Sequence, residues 1–185
     1  MQMERDIDAI VVGVGSGGTL TGIGRYMCQY SAKTQMVLAD PEGSILAPYV
    51  KTGEMGEAGS WAVEGIGEDF IPPNCDLSLV KEAYSIPDRE SFEAARELMR
   101  QEGILAGSSS GTLLAAALRY CRAQSEPKRV VTLVCDSGAK YLSKVFNDAY
   151  LAQEGFIGQH TGKLRDLVSS PHGGGASVEV RPNDN

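Results

Sequence analysis

The sequence predicts an α/β protein of three layers, a mostly parallel sheet with helices on both faces. Three observations lead there. Short apolar runs rich in β-branched residues alternate with longer segments of helical periodicity. The strand-like runs are continuously apolar, as strands buried on both faces are. The first of them, Ile10–Val12, leads directly into a glycine-rich turn and then a helix.

That first unit reads IVVGVGSGGTLTGIGRYM, from Ile10 to Met27. Gly13, Gly15, Gly17 and Gly18 crowd the turn, where glycine lets backbone N–H groups approach a ligand closely. Ser16 and Thr19 add hydroxyls to the same nest. Strand, glycine turn and helix N-terminus together form a phosphate-binding arrangement. Walker A is excluded because Gly18 stands where its lysine should be. A dinucleotide fingerprint fits at Gly13, Gly15 and Gly18, with Asp40 about 20 residues further on as the ribose partner. A cup for one terminal phosphate, of the pyridoxal phosphate kind, also fits.

Met36–Ala39 is the next strand, ended by the DPEGS turn at 40–44 and a short helix. Residues 50–62 are polar and glycine-rich, a surface loop. Val63–Asp76 holds Gly65, Gly67 and Pro72-Pro73, so it must run as ordered loop. Val80–Ile86 reads as a strand. Asp88 is the expected N-cap of a helix over Arg89–Glu102, with Phe92, Ala95, Leu98 and Met99 on one face. Ile104-Leu105 reads as a short strand, Gly107–Gly111 as a loop and Thr112–Gln124 as a helix. Arg129–Cys135 is an apolar strand and Lys140–Leu151 the last helix of the unit. From Gly155 glycine, serine, histidine and proline dominate.

The 185 residues suffice for one domain with a core, and 42% apolar with 22% charged residues places the chain among soluble globular proteins. The net charge of −7 and scattered Lys and Arg argue against a nucleic-acid or anionic-membrane partner. No apolar run approaches the ~18–20 residues that cross a bilayer. The charged N-terminus lacks a signal core, and Cys28, Cys121 and Cys135 sit in apolar contexts, so a cytoplasmic protein with reduced, buried thiols is expected. No metal site is expected, because the only histidines are His160 and His172.

Gly107-Ser108-Ser109-Ser110-Gly111 repeats the logic of the first turn. It matches the nucleophile elbow, whose triad would recruit Asp136 and His160. Against that, the HGGG string at 172–175 follows the serine, whereas an oxyanion motif should precede it. Alternatively Ser109 offers its hydroxyl to a pyridine nitrogen. That would leave the nitrogen unprotonated, weaken the electron sink and favour β-elimination or β-replacement.

Five strings, GVGSGGTLTGI (13–23), ADPEGSIL (39–46), VEGIGEDFIP (63–72), QEGILAGSSSGT (101–112) and CDSGAKYLSK (135–144), occur in this order. Together they resemble the cystathionine β-synthase and cysteine synthase family, the β-replacing fold-type II pyridoxal phosphate enzymes. DPEGS and the VEGIG string look more like the first of these. The resemblance covers about 7–155. It implies pyridoxal 5′-phosphate as cofactor, held at its phosphate by Gly15, Ser16, Gly17, Gly18 and Thr19 and at its ring nitrogen by Ser109. Asp136 and Ser137 would stand beside the pyridine side of the site. Gly65, Ile66 and Gly67 would face cofactor and substrate. Glu68 stands where animal members carry an aromatic residue. The implied reaction replaces the β-substituent of serine or O-acetylserine by homocysteine or sulfide, in a homodimer. An NAD-type binding domain, a serine hydrolase and a non-catalytic scaffold are the other readings of these motifs.

The resemblance also implies that the Schiff-base lysine and the substrate-carboxylate loop precede the glycine turn. None of the seven lysines (Lys33, Lys51, Lys81, Lys128, Lys140, Lys144, Lys163) occupies a matching place. Residues 1–155 are therefore expected to be the C-terminal portion of a catalytic core, inactive alone. Residues 156–185 are expected to be a linker and the start of a regulatory nucleotide-sensing module.

Overall fold

The computed structural model describes residues 6–157. Four parallel strands form one sheet in the order β3-β2-β1-β4: β1 (Ala9–Val12), β2 (Gln35–Pro41), β3 (Val80–Ile86) and β4 (Val130–Thr132). The register pairs Val11 with Val37 on one side of β1 and with Thr132 on the other.

The helices divide between the two faces, as the pleat dictates. Ala9, Val11, Val37 and Ala39 point to one side. There they pack against Phe92 and Ala95 of α3 (Asp88–Glu102) and Leu113, Ala116 and Tyr120 of α4 (Ser108–Ala123). Ile10, Val12, Met36 and Leu38 point the other way. They meet Leu20 of α1 (Gly18–Tyr30) and Leu46 and Ala47 of α2 (Leu46–Thr52). The three-layer expectation holds.

Several local expectations are corrected. Ile104-Leu105 forms no strand. Gly103 turns left-handed at φ 69° to end α3, and Ala106 makes only an isolated antiparallel bridge to Ser137. The stretch 107–111 is mostly helix, because α4 begins at Ser108. The 140–151 segment is interrupted. Ser137 caps a 3-10 turn over Gly138–Tyr141, and Asn147 caps a separate α5 (Asp148–Gln153) by accepting from Ala149 and Tyr150 N–H. β4 is shorter than Arg129–Cys135, and Val134 and Cys135 beyond it are exposed.

Cys28, Cys121 and Cys135 are free but exposed, not buried; Cys28 and Cys121 lie on outward faces of α1 and α4. Phe156 and Ile157 still pack on the α3–α4 side of the core, Phe156 edge-on to Phe92 at 4.9 Å. The expected linker and regulatory module, with His160, His172 and Lys163, fall on 158–185, outside the described residues.

Candidate functional site

β1 lies between β2 and β4, so the chain leaves its carboxyl end toward α1 on one face while β4 arrives with α4 on the other. Such a reversal of strand order opens a crevice at the carboxyl ends of the two strands. A cleft of about 520 Å³ occupies that place. Its floor is Gly13, Gly15, Ser16 and Thr19 after β1, and Leu133–Asp136 after β4. Glu64, Gly65 and Ile66 form one wall, and Ser109, Leu113 and Tyr141 complete it.

Two helix N-termini open here. α1 is preceded by Gly17 and α4 by Gly107, and neither start has a side-chain cap. Their first N–H groups lack intrahelical partners and carry the positive end of each helix dipole. Ser109 sits in the first turn of α4, 5% exposed, so its hydroxyl is presented by a packed helix.

Glycine at the floor has a steric reason. A Cβ on Gly13 would stand 2.8 Å from Ile66 Cγ2, and one on Gly15 would stand 2.9 Å from the Gly65 carbonyl oxygen. The 64–66 wall therefore closes directly onto the glycine turn. It has no sheet ladder to hold it, yet it is tied at several points. Glu64 N–H donates to Ser108 Oγ at 3.3 Å, Gly67 N–H to the Val14 carbonyl at 2.9 Å, and Trp61 Nε1 to the Ile66 carbonyl at 3.1 Å.

At the other end, Tyr141 Oη donates to Asp136 Oδ2 at 2.7 Å, and this bond, more than burial, pushes the phenol pKa up to about 12. Tyr141 therefore stays a protonated donor at neutral pH. Asp136 Oδ1 is buried without a hydrogen-bond partner among the described residues. At the rim Lys144 pairs with Glu64, which raises the lysine pKa.

The cleft thus gathers Gly15, Ser16, Thr19, Gly65, Ile66, Ser109 and Asp136. Gly17, Gly18 and Gly67 do not line it. Gly17 is left-handed, φ 86°, with its Cα packed on Cys75, where a Cβ would lie 2.5 Å from Cys75 Cβ. Gly67, φ 91°, packs on Pro41 and Trp61. Gly18 faces a second cleft of about 560 Å³ with Thr21, Arg25, Asn74, Cys75 and Asp76. There Thr21 Oγ1 already bonds the Asn74 carbonyl and the Asp76 N–H, and burial pushes the Cys75 thiol up to about 11. Ser137 is exposed and serves as the cap of the 3-10 turn.

Asp40 is fully buried, away from the cleft, and its Oδ2 accepts from Ala47 N–H at 2.8 Å. A ribose could not reach it, which removes the residue the dinucleotide reading needed. Glu68 also lies off the cleft, its backbone held by Ser44. Of the hydrolase triad, Ser109 and Asp136 share the cleft, while His160 is outside the described residues. Tyr141 and Glu64, which fall inside two of the matched strings, also line the cleft; their signal in the sequence is place, not residue type.

Comparison with known proteins adds the following. Residues 1–136 match the family described as pyridoxal-phosphate dependent enzyme. The chain is 41% identical over 156 residues to cystathionine beta-synthase of Apis mellifera, covering 84% of this chain and 31% of that protein. It is 40% identical over 155 residues to cysteine synthase A of Escherichia coli (strain K12), covering 82% of this chain and 48% of that protein. Among solved structures it matches the O-acetylserine dependent cystathionine beta-synthase of Helicobacter pylori with a TM-score of 0.68 and 36% identity, covering 77% of this chain and 44% of that one. The chain thus spans about a third to a half of these relatives.

Proposed function

The chain belongs to the pyridoxal-phosphate dependent enzyme family, and from that membership we propose that its cleft holds pyridoxal 5′-phosphate for β-replacement on serine or O-acetylserine. The incoming group would be homocysteine or sulfide. The observation that carries the reading is the facing of two uncapped helix N-termini across one cleft, the glycine turn of α1 on one side and Ser109 of α4 on the other.

The residues present suit the group. Gly15, Ser16 and Thr19 line the cleft beside the N-terminus of α1, where their amides and hydroxyls would hold a phosphate dianion by hydrogen bonds and the α1 dipole. The cleft volume falls in the range for small-molecule sites. Ile66 and Leu113 supply apolar surface for a ring. When bound, pyridoxal phosphate supplies an electron sink for the amino-acid substrate. Ser109 would meet the ring nitrogen with its hydroxyl, and as a neutral group it would leave that nitrogen without a full positive charge. Tyr141 holds Asp136 in place beside it.

No lysine among the described residues lines the cleft. We therefore propose that this chain supplies the phosphate cup and the ring-nitrogen partner but does not catalyse the reaction by itself. The reading extends to a cytoplasmic protein, in keeping with four free thiols. It extends also to a homodimer, for which the exposed side chains of Met99 and Leu142 around one groove offer apolar surface.

Equilibrium dialysis with pyridoxal 5′-phosphate, pyridoxal and NAD tests the proposal. Pyridoxal 5′-phosphate binds, inorganic phosphate competes, and pyridoxal, lacking the phosphate, binds far more weakly. Binding of NAD with none of pyridoxal 5′-phosphate would contradict it.

A further inference from the structure

The wall formed by 64–68 presses on the glycine turn without belonging to any helix or strand. Its position must come from individual hydrogen bonds. Three of them tie it to the turn, to α4 and to Trp61, as described above. The others come from Ser44 and its neighbour Ile45, in the turn between β2 and α2, where Ser44 is 3% exposed.

Ser44 Oγ accepts from Glu68 N–H at 3.0 Å and donates to the Glu68 carbonyl at 3.1 Å. The neighbouring Ile45 N–H donates to that same carbonyl at 3.1 Å. One hydroxyl thus engages both polar groups of a single loop residue, much as a sheet partner would. Ser44 is in turn fixed by its own N–H on the Pro41 carbonyl at 3.1 Å, at the end of β2. A continuous path runs from β2 through Ser44 and Glu68 to Gly67, whose N–H reaches Val14 at the mouth of the glycine turn.

We propose that Ser44 is a positioning residue for the cleft: its hydroxyl, by clasping the Glu68 peptide, sets the place of the Gly65-Ile66 wall against the glycine turn, and so the fit of a ring-bearing phosphate ligand. The inference rests on the reading of the cleft given above. Ile66 touches the cleft, while Ser44 does not line it; its hydroxyl also accepts from Leu46 N–H at 3.4 Å, at the start of α2. The phosphate itself meets Gly15, Ser16 and Thr19, which are built on β1 and α1 and do not depend on Ser44.

That separation gives the test. Pyridoxamine 5′-phosphate carries the ring and the phosphate but no aldehyde to react with surface lysines. Its affinity and that of inorganic phosphate are measured on the wild-type chain and on Ser44→Ala, with thermal melts alongside. Trp61, the single tryptophan, bonds the Ile66 carbonyl, so its fluorescence reports the wall directly. Ser44→Ala stays folded, changes the Trp61 emission and binds pyridoxamine 5′-phosphate on the order of tenfold more weakly, the loss of the two part-buried hydrogen bonds to Glu68. Inorganic phosphate binds as before. Equal affinity of Ser44→Ala and wild type for pyridoxamine 5′-phosphate would overturn the proposal. So would a parallel loss for both ligands, or unfolding of the variant, since the hydroxyl would then serve stability alone. If the wild-type chain binds neither ligand, it is the reading of the cleft that fails.

Discussion

Tyr141 Oη and Asp136 Oδ2 stand 2.7 Å apart, joining the 3-10 turn over Gly138–Tyr141 to the segment that follows β4, while Asp136 Oδ1 is buried with no partner among the described residues. The phenol holds one oxygen so that the other keeps its direction beside α4. Tyr141→Phe removes that restraint and leaves only Lys140 Nζ, at 3.4 Å, on Oδ2. Urea unfolding of the variant should show a loss of about 1 kcal/mol, the usual worth of a half-buried hydrogen bond. An unchanged midpoint would mean that the pair carries nothing.

Asp40 makes a pH prediction. Burial raises its pKa from 3.8 to about 6, against the opposing hydrogen bond from Ala47 N–H. The folded state therefore holds this proton more tightly than the unfolded chain does. Its stabilising contribution is complete below the unfolded value and is lost as pH rises through about 6. The full swing is roughly 3 kcal/mol. Asp40→Asn cannot titrate, so its stability relative to wild type should grow by up to that amount between pH 4 and pH 7. Chemical denaturation of the two proteins across that range measures it, and parallel curves would refute it.

Asp88 separates two structural roles. The sequence makes it a helix N-cap; the structure has it inside α3, with its two oxygens accepting from Ala62 N–H at 2.8 Å and Val63 N–H at 3.0 Å. It is thus an anchor for the start of the cleft wall. Asp88→Ala should cost about 2 kcal/mol by leaving two N–H groups unpaired near the buried Val63. Asp88→Ser, a favourable N-cap residue, should not recover that loss. Recovery in a thermal melt would restore the capping account.

The parallel sheet was legible because β-branched apolar runs and helical periodicities report burial on two faces, and β3 was read at Val80–Ile86 to the residue. The glycine turn was legible for a related reason, since glycine at such density marks a backbone approached closely. What failed was direction. Gly17 and Gly67 both adopt positive φ, but a sequence cannot say whether the space a glycine frees faces a ligand or a neighbour, here Cys75 and Trp61. Asp88 failed likewise, because a carboxylate before a helical run serves a distant loop as readily as its own helix. The 140–151 helix broke at Asn147, whose capping chemistry was present in the sequence but hidden beneath an apolar pattern. Tyr141 had no signal beyond its place five residues after Asp136, since a phenol meeting a carboxylate across a turn depends on that turn's geometry.

Amide-resolved NMR during a titration with pyridoxamine 5′-phosphate tests the central claim most directly. The account predicts that the largest shifts fall on Gly15, Ser16 and Thr19 and, with them, on Ser109 at the start of α4, because one molecule bridges both helix N-termini. Shifts centred instead on Gly22, Arg25 and Asn74 in the second cleft, or none at saturating ligand, would contradict it.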